Sequence, residues 1–352
     1  MGTAYWFCPE NDGALAADIE NYTPPKAAVA LRRGGARLPE LWTGPDDIVI
    51  LENSRGTYPY RRDELRGCSP MPWGWSLYSS HILQLSGFDP LLLPDEFTLA
   101  GIRRLSHRHT SIEVLRHIGY DPRLMPAEVT DDFQAVEALR HFGGDAVVKM
   151  PWSCSGRGVF LTAGQSQEML RQRIKGIIRR QGCAMIEPRY ERLNDFATLF
   201  YLSRGKAKFR GLSAFATDDA GHYTGNIIAP QSEIAARIGI DLTPHITALE
   251  EALSEIIGTG YEGWAGVDML SYRQTDGSIG VAPCIEVNLR MTMGVAALLG
   301  AEAGKLPWPR ALLRVALPGE TLPPDALTFS LTPPASDRPL TSPTVIAHGS
   351  FI

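Results

Sequence analysis

The stretch Gly263–Gly294 reads GWAGVDMLSYRQTDGSIGVAPCIEVNLRMTMG. Two runs of β character, Ala265–Tyr272 and Ile279–Leu289, flank Gln274-Thr275-Asp276-Gly277. Asp-Gly between apolar runs is a strong hairpin signal. Centring the turn on Asp276-Gly277 sets Asp268 roughly opposite Glu286. Glu286 and Asn288 stand at i and i+2, so they share one face of their strand. Two carboxylates and an amide oxygen therefore converge, with the Arg290 cation on the same face. Hard oxygen ligands in such a group suit Mg²⁺ (or Mn²⁺), which keeps several waters and binds substrate phosphates as well. The competing reading is the solvated face of an ordinary hairpin. Acidic residues are depleted inside strands, which weighs against it.

A second stretch supplies the complementary charge. Asp145–Phe160 reads DAVVKMPWSCSGRGVF. Ala146–Val148 is a short apolar, largely β-branched run that ends in Lys149. Ser153-Cys154-Ser155-Gly156-Arg157-Gly158 follows, and apolar residues resume at Val159. The pattern is strand, small-residue loop, strand. Backbone N–H groups in such a loop have no sheet partner and are free to converge on an anion. Gly156 and Gly158 permit a close approach to a ligand, and Lys149 is a compact positive charge beside them. An ordinary hairpin with a Ser/Gly turn is the alternative. GxxxxGK[ST] is absent, so this is not a Walker loop.

Taken together, Lys149 with its loop, IEP at Ile186–Pro188, GVD at Gly266–Asp268 and EVNLR at Glu286–Arg290 resemble the ATP-grasp superfamily. The likeness covers roughly 105–300. It implies an α/β and α+β chain: an N-terminal Rossmann-like domain at 1–104, a small subdomain with the phosphate loop at 105–190, and a large subdomain at 191–352 carrying the metal hairpin and closing strands. It implies ATP and Mg²⁺, with Asp268, Glu286 and Asn288 as metal ligands. Lys149, Ser153, Ser155, Gly156, Arg157 and Gly158 would meet the phosphates. Glu187 matches the acidic residue beside the adenine, and Asp195 falls near the position that meets the ribose; a turn or helix cap is the other reading of Asp195. The family often places a phosphate-binding lysine where this chain has Arg108. That is a departure, because a guanidinium is a planar fork and an ammonium a point charge. Lys149 and Arg290 would offset charge on the transferring phosphoryl group.

The whole chain is compatible with this. Its 352 residues provide for two or three compact units with a substantial core. Net charge is −5, which does not point to a nucleic-acid partner. Five cysteines are scattered without CxxC spacing, the pattern of reduced thiols in a cytoplasm. Cys154 reads as a small loop filler. Met1–Cys8 lacks the features of a signal peptide. No apolar run reaches the ~18 residues that span a bilayer.

Along the chain, Thr3–Cys8, a helix at Pro24–Arg33 and a strand at Asp47–Leu51 predict a small α/β domain without GxGxxG. Pro70–Trp75, PMPWGW, reads as a rigid aromatic loop, with Trp73 and Trp75 packed inside or serving as a lid. Ser76–Leu85 is helical, and Leu91–Leu93 is a short strand. In LSHRHT, Leu105–Thr110, His107 and His109 are a poor helical metal pair and read as exposed polar residues. Helices follow at Ser111–Ile118, Asp131–His141 and Ser166–Arg180, then a strand at Cys183–Glu187. Phe196–Leu202, Ala207–Ala216 and Tyr223–Ile228 read as antiparallel strands. Arg210 lies mid-strand, aimed at a phosphate or substrate carboxylate, or in a cross-strand ion pair. Gly225-Asn226 reads as a turn near substrate. Pro244–Ile257 and Val295–Leu299 are helices, and the proline-rich tail supplies closing strands at Ala311–Ala316, Thr328–Leu331 and Thr344–Ala347.

The resemblance implies a ligase that joins a small-molecule carboxylate to an amine through an acyl-phosphate, with an amino acid or small peptide as substrate. The alternatives are a kinase or carboxylase on the same fold, and a nucleotide-binding protein without catalysis. A cytoplasmic homodimer with no nucleic-acid or membrane partner completes the expectation.

Overall fold

The computed structural model describes residues 2–61, 63–153, 158–217, 223–335 and 338–349. Three sheets organise them. The first is parallel and runs β2-β1-β3, built from β1 (Gly2–Trp6), β2 (Ile48–Val49) and β3 (Cys68–Pro72), with helices α1 (Asn11–Ala17), α2 (Lys26–Gly34) and α3 (Leu77–Leu85) around it. The Pro70–Trp75 segment is thus not all loop. β3 lies at the edge of its sheet, where a proline's missing N–H costs no ladder bond. Trp73 is buried edge-on against Phe7 at 4.8 Å, and Trp75 is half-buried against both large cores. Neither projects as a lid.

Helices α4 (Glu96–Leu105) and α5 (His109–His117) lead into the second sheet. Its elements are β4 (Ala127–Val129), α6 (Asp132–His141), β5 (Ala146–Lys149), β6 (Val159–Leu161), α7 (Gln167–Gln181) and β7 (Ala184–Pro188). The order is β4-β7-β5-β6, all antiparallel. Ala135, Ala138, Ile174 and Ile177 of α6 and α7 cover one face, against Val148 and Ile186. Lys149 and Glu187 are the next residues along those two strands, so alternation sends them to the opposite face, where both are buried and Met185 packs on Ile112 of α5.

The third sheet has the order β12-β11-β8-β9-β10-β13-β15-β14. Its elements are β8 (Glu191–Ser203), β9 (Lys206–Thr217), β10 (Tyr223–Ile228), α8 (Gln231–Ile238), α9 (Thr243–Ile257), β11 (Gly263–Arg273), β12 (Ile279–Asn288), α10 (Met293–Ala303), β13 (Ala311–Ala316), β14 (Leu327–Thr328) and β15 (Thr344–His348). One face carries Phe196, Phe200, Ala265, Val267 and Met269, and packs on Leu249, Ala252, Leu253 and Ile257 of α9. Those α9 positions fall at helical spacing, which is why the helix forms there and lies flat on the sheet. The other face packs Ala197 and Leu199 against Val295, Ala296 and Leu298 of α10 and the first sheet's core. α10 is apolar on all sides and is buried between the two. Among the described residues no helix is long and apolar enough to cross a membrane.

Several local expectations differ. Leu91–Leu93 is not a strand: Pro90–Leu92 is a 3₁₀ turn in which Asp89 accepts the Leu91 N–H. Gly225-Asn226 is not a turn; both lie in β10, with Asn226 opposite Phe215 and Leu313. Helices α1, α4 and α8 had no counterpart in the sequence reading. α1 is only 7 residues long and is held by burial of Ala14 and Leu15, a tertiary effect. In the tail, β14 is shorter than expected but, with β13 and β15, it does extend the large sheet.

Candidate active site

The β11–β12 hairpin places Asp268 directly across from Glu286, and Gly266 across from Asn288. A bulge achieves this. Pairing near the turn sets Tyr272 against Gly280, and a regular ladder from there would put Cys284 opposite Asp268. The register shifts between Asp268 and Leu270, with the extra residues on β12 around Pro283, a residue unable to donate to a ladder. Cys284 turns into the core under α9, while Glu286 arrives at the cleft.

Four carboxylates and three cations meet there from all three sheets. Lys149 Nζ on β5 is 2.5 Å from Glu187 Oε2 on β7. Arg108, at the start of α5, is buried; its Nη1 lies 2.7 Å from Glu286 Oε2. Its Nε donates to the Met150 carbonyl at 2.9 Å, and Nη2 to Ser153 Oγ at 3.2 Å. Asn288 Nδ2 donates to Asp268 Oδ2 at 3.1 Å, and Asn288 Oδ1 accepts from Arg290 Nη2 at 2.9 Å. Arg290 Nε donates to Asp12 Oδ1 at 3.1 Å. The Met291 N–H donates to the Trp73 carbonyl at 2.7 Å, which pins the first sheet beside this arginine.

Among the described residues, Asp268 has no ion pair of its own and rests on the Asn288 amide. Burial, then the negative field of Glu286, push its carboxyl up to about 7, against the lowering pull of Arg290 and the Asn288 hydrogen bond. The group thus carries one carboxylate more than its cations neutralise. Burial also raises Asp12, against the pull of Arg290. A cavity of about 10 Å³ is lined by Asp12, Trp152, Ser153, Glu286, Asn288 and Arg290; it has room for about one water.

The structure therefore brings together Lys149, Ser153, Glu187, Arg108, Asp268, Glu286, Asn288 and Arg290. Ser155, Gly156 and Arg157 lie outside the described residues. Gly158 sits at φ +77°, where a Cβ would meet Met150 Sδ at 2.2 Å. Gly158→Ala is expected to cost about 1–3 kcal/mol through left-handed strain and overlap, read as a lower urea midpoint at unchanged slope. An undiminished midpoint would show that the β5–β6 turn relaxes freely. Asp195 is in β8 and is neither a helix cap nor a turn residue; Arg192 Nη2 is 2.5 Å away. A bulge in β8 beside Leu193 places these two on one side despite their odd spacing. Arg210 is exposed on β9, its guanidinium 5.2 Å from the Trp264 ring centroid and not among the carboxylates. Asp12 had no role in the sequence reading. The usable signal was its position just past the carboxyl end of β1, where open α/β sheets form their crevices.

No protein-family model and no curated protein match this sequence. Solved structures do. A biotin carboxylase from Campylobacter jejuni, in complex with β-γ-ATP, aligns over 98% of this chain and 86% of its own at 12% identity, with a TM-score of 0.52. N5-carboxyaminoimidazole synthase from Aspergillus clavatus, bound to ADP and 5-aminoimidazole ribonucleotide, gives 0.51 over 99% and 93% at 12% identity. The ADP complex of an N5-carboxyaminoimidazole ribonucleotide synthetase gives 0.51 over 100% and 92% at 13%. The chain has the ATP-grasp fold. The ATP-grasp frame runs through nearly the whole length, and the polar group above occupies the cleft where its sheets meet.

Proposed function

We propose that this chain is an ATP-dependent, ADP-forming ligase that joins a carboxylate to an amine through an acyl-phosphate. The observation that carries the reading is the opposition of Asp268 and Glu286 across one hairpin, beside Asn288, with Lys149, Arg108 and Arg290 directed at the same space. Protein chemistry in phosphoryl transfer is chiefly positioning and charge neutralisation, and these are the groups it requires.

The donor set fits Mg²⁺ or Mn²⁺: oxygen ligands only, with an uncompensated carboxylate at Asp268. Asp268, Glu286 and Asn288 would hold the ion, which when bound neutralises charge on the β- and γ-phosphates. Arg108 and Arg290 now lie on carboxylates and would turn toward phosphate oxygens as the nucleotide enters, exchanging one anionic partner for another. Lys149 would leave Glu187 in the same way. Ser153 and Gly158 flank the loop that would cover the phosphates and exclude water, which matters because an acyl-phosphate hydrolyses. Asp12, reached through Arg290, places the first sheet where the acceptor would bind. Ser155, Gly156, Arg157, Glu187 and Asp195 complete the proposed nucleotide contacts; Arg210, exposed on β9 beside Trp264, is given no part in the step. The substrates are proposed to be amino acids or small peptides.

ADP release with Mg²⁺-ATP, run against amino acids singly and in pairs with hydroxylamine as a trap, tests the reading. A hydroxamate names the activated acid, and release that needs a pair names the amine. ATP binding without ADP release or hydroxamate across the panel would overturn it.

Metal affinity supplies a second test. An ion at Asp268 must displace its proton, so Mn²⁺ affinity is expected to rise about tenfold per pH unit up to 7 and to level off above it. Calorimetry at pH 6, 7 and 8 measures this. Asp268→Asn should remove the pH dependence along with most of the affinity, and a flat wild-type profile would refute the assignment.

A further inference from the structure

Outside the cleft, three ligand-type side chains from separate elements converge at the α4–α5 junction. His107 lies between the helices, Glu128 is on β4, and Cys183 immediately precedes β7. One ligand atom from each lies within 4.8 Å of the others. His107 Nε2 is 3.4 Å from Cys183 Sγ. A Glu128 carboxylate oxygen is 2.6 Å from His109 Nδ1, which brings a second imidazole to the edge of the group. The two histidines, read from sequence as exposed polar residues, are therefore not equivalent: His107 is half-buried, edge-on to Trp152 at 4.6 Å.

We propose that His107, Glu128 and Cys183, with His109 as fourth ligand, form a binding site for a borderline-soft divalent cation of the zinc type, separate from the oxygen set of the cleft. A tetrahedral zinc with ordinary bond lengths holds its sulfur and nitrogen ligands about 3.6 Å apart; the Cys183–His107 separation of 3.4 Å needs almost no adjustment. Thiolate with imidazole and carboxylate selects zinc over magnesium, whereas Asp268, Glu286 and Asn288 offer only hard oxygens. Cys183 is buried, while Glu128 and His109 are part-exposed, so the ion has a route from solvent. Binding has a definite proton balance. The Cys183 thiol gives its proton to solvent, and the proton that His109 Nδ1 shares with Glu128 moves to His109 Nε2, which frees Nδ1 and the carboxylate for the ion. The imidazole proton of His107 moves from Nε2 to Nδ1, so the 3.0 Å hydrogen bond from the His109 N–H to Nδ1 is given up.

The site has a consequence for the cleft. Arg108 lies between the two histidines, and its N–H donates to the Pro151 carbonyl at 3.3 Å. An ion held on both sides of Arg108 fixes the peptide that presents this guanidinium to Glu286.

The test is Co²⁺ titration of the demetallated full chain in excess Mg²⁺, which occupies oxygen-only sites. The expected result is one equivalent bound, with a thiolate-to-cobalt charge-transfer band and tetrahedral d–d bands, both bleached by one equivalent of Zn²⁺. Cys183→Ser loses the charge-transfer band, Cys284→Ser keeps it, and Glu128→Gln weakens binding at least about tenfold. A wild-type spectrum without the charge-transfer band overturns the proposal, as does its survival in a folded Cys183→Ser protein. If Cys183→Ser does not fold, the wild-type spectrum and the Cys284→Ser control decide.

Discussion

Glu286→Gln is expected to lower ADP formation by at least ~10²-fold, the scale of losing one preorganised electrostatic group in a phosphoryl-transfer site. Two effects act together. Glutamine keeps the size of the side chain but removes one of the two charges that face each other across β11 and β12. It also deprives buried Arg108 of the carboxylate at 2.7 Å, so that the guanidinium loses its resting partner. The first effect falls on turnover, because Asp268 is then the one charged ligand of the proposed cation. The second falls on the resting state and should leave ATP affinity equal or improved, since Arg108 is released for phosphate. Initial rates at saturating Mg²⁺-ATP, paired with calorimetric ATP binding, separate the two. Near-normal ADP formation would sink the metal assignment, and so would lost ATP binding with unchanged turnover.

The second large effect is on stability. Arg32→Met should destabilise the protein by about 3–5 kcal/mol, the range for removing one partner of a buried ion pair. Arg32 on α2 pairs with Glu10, just past β1, and its Nη2 is 3.3 Å from Glu52, just past β2. Arg32 Nη1 also donates to Tyr78 Oη at 3.1 Å. Glu52 keeps Arg33, but Glu10, with a side chain 1% exposed, loses its cation. Burial already raises the Glu10 carboxyl, and Arg32 is the principal pull against it. Without Arg32 that carboxyl rises further. The folded variant then binds more protons than the unfolded chain, so its stability falls as pH rises from the normal carboxylate range toward the raised folded value. The gap from wild type should therefore be wider at pH 8 than at pH 5 in urea unfolding. A gap under about 1 kcal/mol at both pH values would show that Glu10 is rehydrated in the variant.

Much of the frame was legible because it rests on local patterns. Asp276-Gly277 between two β runs marked the hairpin, and Lys149 closing an apolar run marked the end of a strand. Asp131 before α6 and Ser166 before α7 are local N-cap signals, and each accepts an N–H, from Gln134 and Met169. Helix α1 is hard to read because it has only 7 residues, contains Gly13 and is held by docking of Ala14 and Leu15. Helix α4 carries readable signals, with Asp95 as its N-cap and Leu99, Ile102 and Leu105 at helical spacing.

The sequence by itself determined which residue types stand on which strand, and hence that carboxylates and an amide would share a face. Side-chain alternation is a property of the strand alone. Only the tertiary structure decided their partners. The bulge at Pro283 exchanges Cys284 for Glu286 opposite Asp268. The docking of α5 sets Arg108 on Glu286, and the docking of the first sheet sets Asp12 on Arg290, across 278 positions of chain. His107, Glu128 and Cys183 meet for the same reason. Charge pairing and ligand convergence act through space, and no period along the chain records which distant side chain will fill the space beside a given one.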